Sequence, residues 1–156
     1  MPTIQADKLE SLAIRIFTAM GAPVADARGV ATLLVRANLR GHDSHGAIRI
    51  PQYAGAIRTG HVNPKSPITV LAETPVIARL DGGRGFGQVV ARRGMEMAIA
   101  KAKTNGLSAV TLANTTHVGR LADYAEMAAA QGLVGMLWVN AVFGLNVAPW
   151  GGAARR

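Results

Sequence analysis

The thirteen residues from Gly41 to Tyr53, GHDSHGAIRIPQY, gather reactive side chains in a chain otherwise rich in Ala and Val. His45, Arg49 and Tyr53 follow one another at i,i+4 spacing, and Asp43 or Ser44 can cap a helix start. If the segment is helical, one face carries an imidazole, a guanidinium and a phenol within mutual reach. Pro51 is tolerated in a first helical turn. An imidazole that moves a proton beside a guanidinium that grips a carboxylate through two parallel hydrogen bonds suits a 2-hydroxy or 2-keto acid. The same spacing also describes a surface helix with a satisfied polar face, so residue types alone leave both readings open.

Two helices are expected ahead of this stretch. Leu9, Leu12, Ala13, Ile16 and Phe17 recur at helical spacing between Ala6 and Met20, with Gly21 as a stop. A second helix runs from about Pro23 towards Arg40, burying Val30, Leu33, Leu34 and Ala37 and ending at Gly41. The pair, packed antiparallel, would hold the polar face of a third helix that continues to about Thr59. Residues 61 to 75, HVNPKSPITVLAETP, carry three prolines and read as an extended connector. The domain boundary is expected there: a helical region over 1–75 and an α/β region over 76–156.

In that second region Val76 to Leu80 reads as a strand, Asp81 to Gly87 as a glycine-rich loop, and Gln88 to about Asn105 as a helix. Gly106 stops it, and Leu107 to Leu112 reads as a second strand. The strand, the loop DGGRGFG and the helix approach a dinucleotide fingerprint, since amides at a helix N-terminus bind phosphate. Yet the third fingerprint glycine falls on Gln88, and no acidic residue ends the second strand. Tight-turn glycines without a ligand explain the loop better than a Rossmann site. His117, in NTTHVGR, lies between the second strand and a helix over Leu121–Ala130, where loops often present functional side chains. Leu133 to Val139 reads as a third, buried strand.

Other chemistries fit less well. His42, Asp43 and His45 are too close in sequence to converge on one metal ion, and no further ligand cluster accompanies them. Ser44 beside His45 lacks a nucleophile elbow, and consecutive helical residues point apart, which disfavours a hydrolase. The net charge of +8 is scattered and few aromatics interleave with it, which argues against nucleic acid. The uncharged run Gln131–Ala154 contains asparagines, a proline and several glycines, and so makes a poor membrane span. No cysteine is present, and the N-terminus lacks a signal-peptide pattern, so a cytoplasmic protein is expected.

Four motifs in order, DSHGAIRIPQY at 43–53, DGGRGFGQ at 81–88 with AIAKA in the helix that follows, NTTHVGR at 114–120 and NVAPWGG at 146–152, resemble the second type of malate/L-lactate dehydrogenases. That family includes ureidoglycolate and sulfolactate dehydrogenases. The resemblance implies an α/β fold, with an N-terminal helical region followed by a non-Rossmann cofactor domain, incomplete in this chain. It implies NAD or NADP as cofactor, a small 2-hydroxy or 2-keto acid as substrate, and a homodimer. Carried over position by position, it makes His45 and Ser44 part of a catalytic relay and Arg49 the carboxylate ligand. His117 becomes a proton-transfer group that also meets the cofactor, and Tyr53 lines the substrate site. Asn140 and Ala141 approach the cofactor, although a hydroxyl residue is usual where Ala141 stands. Family members are much longer than this chain, so a truncated dehydrogenase with little activity alone is expected, the alternative being a non-catalytic interaction or dimerisation module.

Overall fold

The computed structural model describes residues 3–140. Three helices come first: α1 (Ala6–Ala19), α2 (Val24–Leu39) and α3 (Arg49–Arg58). Between α2 and α3 the chain makes a short 3-10 turn, Asp43–His45. Strands β1 (Thr69–Glu73) and β2 (Ile77–Asp81) follow, then α4 (Gly87–Asn105), β3 (Ala109–Ala113) and α5 (Ala122–Ala129). The result is a mixed α/β architecture with three helices gathered ahead of a small sheet, as the sequence led one to expect.

The helical core grows from the periodic apolar positions. Ala13 and Phe17 of α1 meet Val30, Ala31 and Leu34 of α2, while Leu12 is exposed and Leu33 only half-buried. An aromatic trio closes one end of this core. The ring centroid of Phe17 lies 5.5 Å from that of Phe86 and 6.3 Å from that of Tyr53. Phe86 stands just before α4, so burying it draws the glycine-rich loop onto the helices.

The sheet has the order β1-β2-β3. β1 runs antiparallel to β2, with Thr69 opposite Asp81 and an irregularity between Val70 and Ala72. β2 and β3 are parallel, with Ile77 opposite Ala109 and Asp81 opposite Ala113, and α4 connects them as such a pair requires. Alternation along β2 buries Ala78 and Leu80 and leaves Ile77 and Arg79 exposed. β1 lies inside the stretch expected to be a connector. Every one of its residues is exposed, so no buried alternate position advertises it in the sequence.

The expected strand Leu133–Val139 is not one in the structure. Burial alternates along it, with Leu133, Gly135 and Leu137 half-buried, but no strand pairs with it among the described residues. It lies against α5 instead, where a Cβ on Gly135 would come within 2.9 Å of the Ala128 methyl. Val134 and Trp138 are each 86% exposed, and Ile77 and Leu107 add to the exposed apolar surface. No helix among the described residues is long and apolar enough to cross a membrane.

Candidate active site

Asn38, near the end of α2, builds the turn that carries the first histidines. Its side-chain amide donates to Asp43 Oδ1 at 2.5 Å, and its Oδ1 accepts from the Ala47 amide at 2.7 Å. A Cβ on Gly46 would lie 2.2 Å from that same Oδ1, so only glycine lets the turn close over Asn38. The turn is not part of α3, contrary to the single helix expected for His45, Arg49 and Tyr53. Asp43 bonds to Asn38 rather than capping a helix, and no side-chain cap opens α3. The 3-10 geometry also brings neighbours together: Ser44 Oγ lies 2.9 Å from His45 Nδ1, where helical residues would have diverged.

Arg49 opens α3 and folds back over the turn. Its Nε donates to the Ser44 carbonyl at 2.6 Å and its Nη1 to Gln52 Oε1 at 2.6 Å. Nη2 has no partner among the described residues and remains free to hold an anion. An open depression of about 330 Å³ lies beside it, lined by Ser44, Ile48, Arg49 and Gln52. Neither His45 nor His117 lines it.

Tyr53, one turn further on, buries its ring in the aromatic trio and sends its hydroxyl to the site. That oxygen accepts from Gln88 Nε2 at 2.7 Å and lies 2.7 Å from His117 Nδ1. The rings of His117 and His45 are 5.1 Å apart, and His42 stacks edge-on to His45 at 4.8 Å. Two imidazoles, a phenol and a guanidinium from segments far apart in sequence thus converge.

The loop that presents His117 is held on both sides. The Gly87 amide donates to Thr116 Oγ1 at 3.0 Å, and Thr116 Oγ1 donates to the Gly85 carbonyl at 2.8 Å. A Cβ on Gly87 would fall 2.3 Å from the Thr116 carbonyl oxygen and 2.4 Å from that of His117. The glycine turn therefore receives the His117 loop and does not fit a dinucleotide phosphate. Arg84 and Asn114, the two non-glycine residues with positive φ among the described residues, join here: the Arg84 amide donates to the Asn114 carbonyl at 2.7 Å. On the other side Tyr124 donates its hydroxyl proton to the Val118 carbonyl. Arg120 pairs with Asp123 and Glu126, and Arg36 of α2 reaches the same two carboxylates. Asp123 is buried and Arg120 nearly so, while Arg36 and Glu126 stay partly exposed, so this knot fastens α5 and the loop to α2 at the edge of the core.

The electrostatics favour an anion. Burial, helped by the Arg49 charge and the neighbouring His45, pushes the His117 pKa down to about 4. His45 is lowered too, first by burial, then by His42 and Arg49. Burial pushes the Tyr53 phenol up to about 12, against the opposing pull of Gln88 and Arg49. Both imidazoles are therefore neutral at neutral pH, beside a guanidinium with no carboxylate partner among the described residues.

Asn140 is exposed at the end of the described chain, apart from any contact that would assign it a role. Ala141 and the NVAPWGG motif lie outside the described residues. Reading the sequence missed Gln88, Asn38, Thr116 and the Arg36–Asp123 knot. Gln88 did leave a signal, as a polar residue on the stripe that buries Val90, Ala91 and Gly94.

Residues 4–156 match the family model described as malate/L-lactate dehydrogenase. Malate dehydrogenase of Pyrococcus abyssi is 41% identical over 152 residues, covering 97% of this chain and 41% of that protein. L-sulfolactate dehydrogenase of Methanocaldococcus jannaschii is 38% identical, over 96% of this chain and 43% of the relative. The solved structure of malate dehydrogenase from Pyrococcus horikoshii OT3 superposes with a TM-score of 0.82 at 43% identity, over 84% of this chain and 38% of that one. The chain thus spans about two fifths of the length of the relatives it matches.

Proposed function

The chain belongs to the malate/L-lactate dehydrogenase family, and from that membership we propose that it carries the acid-binding and proton-handling part of an oxidoreductase acting on a small 2-hydroxy or 2-keto acid. A single observation carries the reading: His45 and His117, 72 positions apart in number, come ring to ring beside Arg49 and the Tyr53 hydroxyl. Arg49 holds the substrate carboxylate, with Nη2 free and Gln52 and Ser44 fixing its plane. His117, backed by Tyr53, meets the substrate oxygen and gives it a hydrogen bond or proton as charge develops there. Ser44 and His45 complete the relay, and Tyr53 lines the site. NAD or NADP, when bound, supplies or takes the hydride. Asn140, Ala141 and His117 are its proposed contacts, and the glycine turn is not among them. Malate, lactate and sulfolactate are the natural substrates to try, in the cytoplasm and in a homodimer.

Titrating a 2-keto acid into the protein while following the His45 and His117 side-chain resonances tests this directly. Saturable shifts of both, abolished in the Arg49→Ala variant, are expected; shifts that persist without Arg49 refute the assignment. A second reading is favoured by the exposed Trp138, Val134, Leu107 and Ile77, which suit an interaction module as well as an enzyme. Saturable, Arg49-dependent binding of a 2-keto acid separates the two, since a module has none.

A further inference from the structure

We infer that Gln88 is a positioning residue that fixes the tautomer of His117, so that the neutral imidazole carries its proton on Nε2 and turns that N–H towards the substrate. Gln88 is 1% exposed and its Nε2 donates to Tyr53 Oη at 2.7 Å. A phenol has a single proton. With one lone pair occupied by Gln88, the Tyr53 hydroxyl directs that proton along its other short contact, the 2.7 Å one to His117 Nδ1. Nδ1 must then be the bare nitrogen, and Nε2 bears the hydrogen.

The orientation of the Gln88 amide decides the chain, because turning it over would reverse every bond. Its Oε1 is buried with no partner among the described residues. Turning the amide over would place the NH2 there instead, burying a donor that finds no acceptor. Buried N–H groups without partners are rarer than under-satisfied carbonyl oxygens, so the donating orientation is preferred. The Tyr53 ring is held against Phe17 and Phe86, which keeps its oxygen between Gln88 and His117.

The inference rests on the reading of His117 as the group that meets the substrate oxygen. It adds which nitrogen does so and in which sense. The neutral resting form is set to donate a hydrogen bond from Nε2 to a carbonyl oxygen, and handing that proton on during reduction requires Nδ1 to take the Tyr53 proton in the same step, leaving a phenolate held by Gln88. A hydroxyl proton can be taken up at Nε2 only after the Tyr53 bond has reversed.

The tautomer is read from long-range 1H–15N correlation spectra of the full chain near neutral pH, with no substrate present. Wild type should show a pyridine-like Nδ1 and a pyrrole-like Nε2 for His117. Gln88→Met removes the donor at similar volume and should lower the ratio of Nε2–H to Nδ1–H forms about fivefold, the effect of one net hydrogen bond. Tyr53→Phe should do the same, and serves if Gln88→Met does not fold. A wild-type Nδ1–H form overturns the inference, as does an unchanged ratio in either folded variant. Since the spectra need no turnover, a correct tautomer in a chain that ignores 2-keto acids would refute the functional reading alone.

Discussion

Replacing Gly87 by Ala tests whether the glycine turn exists to receive the His117 loop. The new methyl would stand 2.3 Å from the Thr116 carbonyl oxygen and 2.4 Å from that of His117. Both distances are about 1 Å short of van der Waals contact. Both obstacles are backbone, so no rotamer change relieves them. Overpacking of this kind costs about 1–3 kcal/mol. Alanine returns about 0.5–1 kcal/mol at a helical position through a less flexible unfolded chain. The net loss is up to about 2.5 kcal/mol, or up to roughly 10 °C in Tm for a domain of this size. Gly29→Ala in α2 is the control, because nothing lies within 4 Å of its added Cβ; it should stabilise the fold by up to about 1 kcal/mol. Thermal unfolding by circular dichroism measures both. In Gly87→Ala the His117 resonances should also move, as the loop shifts away from Tyr53. Equal stabilisation by the two alanines, with His117 undisturbed, would refute the close-packing account and return the turn to the ligand-binding role rejected above.

Arg49→Lys keeps the charge but loses the planar fork, and should weaken 2-keto acid binding about 10- to 100-fold by calorimetry, the scale of a charge-assisted hydrogen bond; an unchanged Kd contradicts its role. Stability should be complete above pH 6.5, where unfolded histidine is neutral, and should fall as the pH drops towards about 4, where folded His117 finally accepts a proton. His117→Asn should flatten that acid limb in Tm against pH, and a limb of the same steepness would show that other groups cause it. The phenol works in the opposite sense: Tyr53 should add stability up to about pH 10 and lose it towards 12, a loss absent from Tyr53→Phe. Asp123→Ala leaves Arg120 and Arg36 with Glu126 as their shared carboxylate and should cost about 1.5–3 kcal/mol in urea unfolding, the scale of a charged hydrogen bond, while a loss below about 1 kcal/mol would make the knot incidental.

The helices were legible because their apolar residues recur at helical spacing and glycines end them. β2 and β3 were legible as short apolar runs between turn formers. β1 was not, since a strand exposed on both faces has no alternation to show. Leu133–Val139 looked like a strand because side-chain pattern reports an extended path, whereas a strand also needs a partner, which no local pattern can supply. At the site, the residue types of His45, Arg49, Tyr53 and His117 could be read, but their geometry could not. The link between Tyr53 and His117 depends on a bond spanning 64 positions, and the contact of Ser44 with His45 depends on a 3-10 turn that Asn38 holds from another helix.

Tyr53 belongs at once to the interior and to the site, and this divides the site's two walls unequally. On one wall, His117, Tyr53 and Gln88 are bolted to Phe17 and Phe86, so a change of residue there disturbs folding along with chemistry. On the other, Ile48 and Gln52 border the depression beside Arg49 from exposed positions, where replacements typically alter stability by no more than about 0.5 kcal/mol. Diversification among acids of different size and polarity would proceed along that outer wall, leaving the proton-handling wall as an inherited constant.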